Sequence, residues 1–329
     1  MKLNRKQTTF GRHETFPLRY AWLTKGFNAV QERPGIFADA ERAMVYLGVG
    51  RNMVNAIQYW LQVTGVADLS GAEARTTALG EVLLGPGGDC YLEDEATLWI
   101  IHWLIAANAE QATGFYWFFN RFAMPRFREP QVMQGLTDFI ARDLQAVRSQ
   151  STLKSDVSTL LRMYTATIIR SEDHLDSPLS QLALIEPEAD DGRVAGIVAT
   201  LAGGRAASPA AKQKDMSGRR GVYRSPRRMR PSLPPVALHF ALAQRFALEQ
   251  QAAIPVRVLL HGGDDWAAPG AVFRLNEEGL MATLQHVMDL YPKQYELRDT
   301  AGLHQLYRIG PAEADALDIL REHYRGAAA

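Results

Sequence analysis

The sequence holds one cysteine, Cys90, in 329 residues. A lone thiol excludes an internal disulfide framework and a zinc site built from several cysteines. It fits a protein kept in a reducing cytoplasm. A Walker-type glycine-rich phosphate loop is also missing. Long apolar runs are absent. The longest, "ATLWIIHWLIAANA" from Ala96 to Ala109, carries His102 in its middle and falls short of the roughly 20 residues a membrane-spanning helix needs. It reads as a buried helix, and no membrane partner is expected. The opening "MKLNRKQTTFGRHETF" is charged but has no apolar core, so a signal peptide is not expected. Net charge is absent too, with 36 basic and 36 acidic residues, and the average therefore says nothing about partners.

What is present is ordinary globular material, 47% hydrophobic and 22% charged, enough to build real cores. The length favours two or three domains. Glycine and proline punctuation predicts a mainly α, multi-domain protein. A winged-helix-like domain is expected over 1–122, a helical region over 123–189, a basic Gly/Pro/Arg-rich linker over 190–235 and a second winged-helix-like domain over 236–329.

The helical reading is most specific near the N-terminus. Asp39 can cap a helix running to Leu47, with Ala40, Ala43, Met44 and Leu47 as its apolar stripe. "GVG" breaks it, and a second helix spans Arg51 to Thr64 with Gly65 as its C-terminal stop. Helix, glycine turn, helix is the helix-turn-helix pattern. The following "TTALGEVLLGPGGDCYLED" reads as a small hairpin, the wing. Further helices are expected at about 93–108, 114–122, 130–149, 154–165, 236–251, 276–290 and 312–324. "YELRDTAGLHQLYRI" reads as two short strands around a Thr-Ala-Gly turn.

Arg51, Asn55, Gln58 and Gln62 repeat at spacings of four, three and four, so they share one face of the second helix, with Asn52 beside them. Arg, Asn and Gln make bidentate hydrogen bonds to base edges in the major groove. The second helix of this motif is the one that enters that groove. Ordinary solvated faces favour Lys and Glu, yet no acid occurs between Val49 and Ala67. Double-stranded DNA is the expected partner of this face.

Charge is concentrated elsewhere. Between Arg205 and Arg230 stand nine basic residues, among them Arg219, Arg220, Arg224, Arg227, Arg228 and Arg230, against the single acid Asp215. Clustered arginines attract phosphates, and Tyr223 among them is placed to stack on a base. The same run could serve as a plain solvated linker or meet an acidic protein partner.

Other chemistry is weaker. "HETFP" puts Pro17 where a zincin needs its second histidine. A metal at His13 and Glu14 would need remote ligands such as His102, Asp89 or Glu93. Phe16, Tyr20, Trp22 and Leu23 are expected to anchor this segment to a core, with Arg19 and Lys25 at the surface or paired with acids. Asp264 and Asp265 in "LHGGDDW" could hold magnesium, though a turn with solvated acids explains them as well.

Three segments, "FGRHETFPLRYAWLTKG", "LGVGRNMVNAIQYWLQVTGV" and "LDSPLSQLALIEP", together resemble the SspB-like family, long known only as a domain of unknown function. The resemblance implies a role in bacterial DNA phosphorothioation and defence, beside PAPS-reductase-like and ATPase subunits. It also implies a nickase activity that would draw on Mg2+ or Mn2+. It carries no catalytic motif onto this chain. The shared positions His13, Glu14, Arg19 and Lys25 are the candidates it supplies, with Trp22, Gly48, Gly50, Asn52 and Trp60 also shared. A non-enzymatic DNA-binding regulator, or a scaffold of a defence complex, is the alternative reading.

Overall fold

A computed structural model describes residues 1–71, 73–166, 177–188, 221–263, 265–300, 302–310 and 316–327. The protein is mainly helical. The first half runs α1 (Tyr20–Glu32), α2 (Ala40–Leu47), α3 (Arg51–Thr64), β1 (Ala67–Asp68), β2 (Arg75–Thr76), α4 (Ala78–Leu84), α5 (Glu95–Ala106), α6 (Thr113–Asn120), β3 (Arg126–Arg128), α7 (Glu129–Arg142) and α8 (Gln150–Tyr164). There follow β4 (Glu186–Pro187), β5 (Val222–Arg224), α9 (Pro235–Glu249), β6 (Ala253–Pro255), α10 (Val256–His261), α11 (Pro269–Val272), α12 (Glu277–Leu290), β7 (Tyr295–Thr300), β8 (Leu303–Arg308) and α13 (Ala316–Ala327).

Among the described residues the strands form three small antiparallel sheets, β1–β2, β3–β5–β4 and β6–β8–β7. The expected C-terminal hairpin is present as β7 and β8, in register from Tyr295↔Arg308 to Thr300↔Leu303. The expected N-terminal wing is not. Ala78–Leu84 within "TTALGEVLLGPGGDCYLED" is helical instead, because the Thr77 side chain caps α4 by accepting from Gly80 N–H at 3.0 Å. Leu79, Val82 and Leu83 then recur at helical spacing. The ribbon after α3 lies upstream, with only Ala67↔Thr76 and Asp68↔Arg75 paired.

The core is held by α5. Ten of its twelve residues are buried, as expected of a helix apolar on all sides. His102 sits on it fully buried. Its Nε2–H donates to Val272 O at 2.9 Å, and its Nδ1 accepts from the Tyr164 hydroxyl at 2.8 Å. One imidazole thus ties α5 to α8 and α11. Burial pushes its pKa down to about 3, so the ring is neutral. α5 also packs on α9, and α13 packs on α4 and α9. The apolar cluster runs from Leu3 to Tyr324.

Candidate nucleic-acid interface

The α2–turn–α3 unit forms for local reasons. Asp39 accepts from Glu41 N–H at 3.0 Å and Arg42 N–H at 3.2 Å, which satisfies two first-turn donors of α2. Gly48 closes that helix at φ 64° and Gly65 closes α3 at φ 69°, both in the left-handed region where a side chain is strained. Val54, Ile57, Trp60 and Leu61 are buried on one side of α3. Trp60 Nε1–H donates to Phe16 O at 3.2 Å, fixing the helix to the N-terminal segment.

The opposite side carries the polar set. Arg51, Asn52, Asn55 and Gln62 are exposed and Gln58 is half-buried. None of these five side chains has a hydrogen-bond or ion-pair partner among the described residues. Their donors and acceptors face solvent, free for an external ligand, on one uncharged stripe headed by a single arginine.

The basic run is divided by the structure. Arg219 and Arg220 lie outside the described residues. Within the described part, Val222–Arg224 pairs with β3 on one side and β4 on the other. Tyr223, which the sequence placed against a base, is instead buried, its ring stacked on Phe127 at 6.0 Å. Arg230 is buried too, with Nη1 donating to Ala183 O at 3.2 Å, a backbone-bracing position rather than a surface one. Arg227 donates to Leu260 O at 2.9 Å, and Arg228 pairs with Glu186 at 2.5 Å. Arg224 is exposed and has no partner among the described residues.

The segment shared with the SspB-like family is a packing element at His13. That ring is fully buried, 2.6 Å from Asp156 on α8. Glu14 is half-buried at φ 50°. The Arg19 guanidinium lies over the Trp22 ring at 5.2 Å, and Lys25 is exposed on α1. Trp22 and Leu23 are buried, while Phe16 and Tyr20 pack partly buried against the core. Asp156 carried one sequence signal, a charged residue between Leu153 and Leu160 on an otherwise apolar helix stripe.

Among the described residues no three His, Cys, Asp or Glu side chains gather as a metal would need. His102 is engaged as above. Asp89 caps the turn before α5 by accepting from Glu93 and Asp94 N–H, each at 2.9 Å. Asp265 is paired with Arg121 and, at 3.6 Å, with Arg5, while Asp264 lies outside the described residues. The described side chains of this set are each engaged elsewhere and do not converge on one point.

A family model described as a protein of unknown function, DUF4007, matches residues 10–200 and 212–324. The chain belongs to the DUF4007 family. This DUF4007 protein is similar over 99% of its length to two solved structures, each covered over 91%, at 25% identity. One is described as a magnesium ion-bound SspB crystal structure, with a TM-score of 0.78, and the other as an SspB crystal structure, with 0.77. The SspB-like resemblance carried by the three sequence segments therefore extends through the whole fold. No curated protein matches the sequence. Among the described residues no helix is long and apolar enough to cross a membrane.

Proposed function

We propose that this protein is a DNA-binding component of a bacterial DNA phosphorothioate modification and defence system, with α3 as the element that reads duplex DNA. The observation that carries the reading is the stripe of Arg51, Asn52, Asn55, Gln58 and Gln62. These side chains pair with base edges in a major groove, and here all five lack internal partners. The whole-length likeness to SspB supports the choice of system. PAPS-reductase-like and ATPase subunits are the partners proposed with it, as the family resemblance implies.

Salt titration of binding to a labelled duplex tests the reading. Affinity should fall linearly on a log–log plot as salt rises, and a flat response defeats it. Supercoiled plasmid with Mg2+ or Mn2+ then separates two versions. Open-circle product marks a nickase, whereas binding without product marks a non-enzymatic regulator.

A further inference from the structure

We propose that the outer face of the β3–β5–β4 sheet is a second site, one that takes phosphate groups, and that a nucleic-acid backbone is its ligand. The register places Arg126 opposite Arg224 and Arg128 opposite Val222. Between them Phe127 and Tyr223 point inward and are buried. Side chains alternate across a strand, so Arg126, Arg128 and Arg224 share the outer face, and all three are exposed. Like charges directly opposite on a ladder destabilise it. Two acids offset part of this charge. Glu188 pairs with Arg126 at 2.7 Å, and Glu186 is taken by Arg228. Arg128 and Arg224 are left without partners among the described residues.

Beside them opens a cleft of about 490 Å³, lined by Arg126, Phe127, Arg128, Gln131 and Val222. Gln131 accepts the Arg128 backbone N–H through Oε1 at 2.8 Å, which leaves its amide hydrogens for a ligand. The cleft lies at the N-terminus of α7, where the helix dipole favours an anion; Glu129, in that first turn, is the one acid at this end. Guanidinium forks two residues apart on a strand and across a ladder suit several phosphate oxygens in bidentate pairs. Phe127 and Val222 supply the apolar floor of the cleft, and Arg126, Arg128 and Gln131 supply its hydrogen-bond donors.

The proposal deepens the DNA reading above, and its test keeps the two apart. Full-length protein and its Arg128→Gln/Arg224→Gln variant are compared with three probes: a labelled duplex, inorganic tripolyphosphate and a poly-glutamate peptide. Neither substitution touches a side-chain contact that holds the fold, and equal melting temperatures check this. The variant should bind duplex about tenfold more weakly at low salt, equally for all sequences. Its log–log salt slope should be shallower by about 1.8, at about 0.9 per lost phosphate contact. Unchanged affinity and slope overturn the site and leave the α3 reading intact. If wild-type protein ignores duplex yet binds tripolyphosphate through these arginines, the DNA reading falls and free polyphosphate is the ligand. Poly-glutamate bound as tightly as duplex overturns the site in favour of an acidic protein partner. Wild-type protein that binds none of the three overturns both.

Discussion

His13 Nε2 lies 2.6 Å from Asp156 Oδ1, a contact that joins the N-terminal segment to α8 across 143 residues. Gly11 N–H donates to the same oxygen at 2.9 Å, and Thr15 N–H donates to His13 Nδ1 at 3.2 Å. Nδ1 is therefore the acceptor and Nε2 carries the proton toward the carboxylate. The ring lies against Tyr59, Trp60 and Phe115 at 5.9–6.4 Å between centroids, so the pair also sets the back of α3. Asp156 Oδ2 is buried with no hydrogen-bond partner among the described residues.

Removing His13 should leave the Asp156 carboxylate buried with only the Gly11 N–H on it. His13→Ala is expected to lower stability by about 3–5 kcal/mol, the range for breaking a buried pair. Urea denaturation measures it, and a loss below about 1 kcal/mol would show that the pair is not what holds the segment. Metal content and any nuclease activity should not depend specifically on His13 beyond this loss of fold.

On the face of α3 away from that pair, Asn55→Ala and Gln58→Ala remove base-directed groups without touching the core. Each should relax sequence selectivity by about 1–3 kcal/mol where the contact is bidentate, with little change in melting temperature. Competition binding against shuffled duplexes reads the effect, and equal affinities for cognate and shuffled DNA in both wild type and variants would remove α3 from base recognition.

Much of this was legible in the sequence where local rules act. Asp39, Gly48 and Gly65 mark the ends of α2 and α3, and the spacing of Val54, Ile57 and Trp60 assigns the buried side of α3. The C-terminal hairpin is equally local, because its strands flank a glycine turn. The N-terminal wing failed because Thr77 is both a strand former and a helix cap, and the apolar run after it fits either period. The basic run failed differently. Arg230 and Tyr223 look like neighbours of Arg224 in sequence, but strand alternation and long-range pairing with β3 send Tyr223 inward and leave Arg224 outside. Arg126 and Arg128 gave no signal because their partner strand lies about 100 residues away.

Two buried histidines predict the acid limb of stability. Burial lowers the pKa of His102 to about 3 and of His239 to about 4. The unfolded chain takes up these protons near the ordinary histidine value of about 6.5, so between there and pH 3–4 the unfolded state binds more protons than the folded one. Stability is then fully present above about pH 6.5 and falls as pH drops, by up to about 1.4 kcal/mol per pH unit for each ring. Denaturation midpoints measured from pH 7 to 4 should decline accordingly, and His239→Phe should flatten the slope. An unchanged slope would mean that His239 is not kept neutral by the fold.

Glycine placement gives the sharpest steric test. Replacing a helical glycine by alanine ordinarily stabilises by up to about 1 kcal/mol, because glycine is the more flexible in the unfolded chain. Gly326 on α13 has open space around a new Cβ and should follow that rule. Gly80 on α4 should reverse it. Its Cβ would lie 2.1 Å from Val66 O and 3.0 Å from the Phe27 ring, and the first of these is backbone that cannot rotate away. α4 would have to retreat from the β1 segment and from α1, at about 1–3 kcal/mol for overpacking. The comparison of Gly80→Ala with Gly326→Ala in thermal melts therefore has opposite expected signs. A Gly80→Ala protein as stable as wild type would mean that α4 does not approach Val66 as closely as the fold requires.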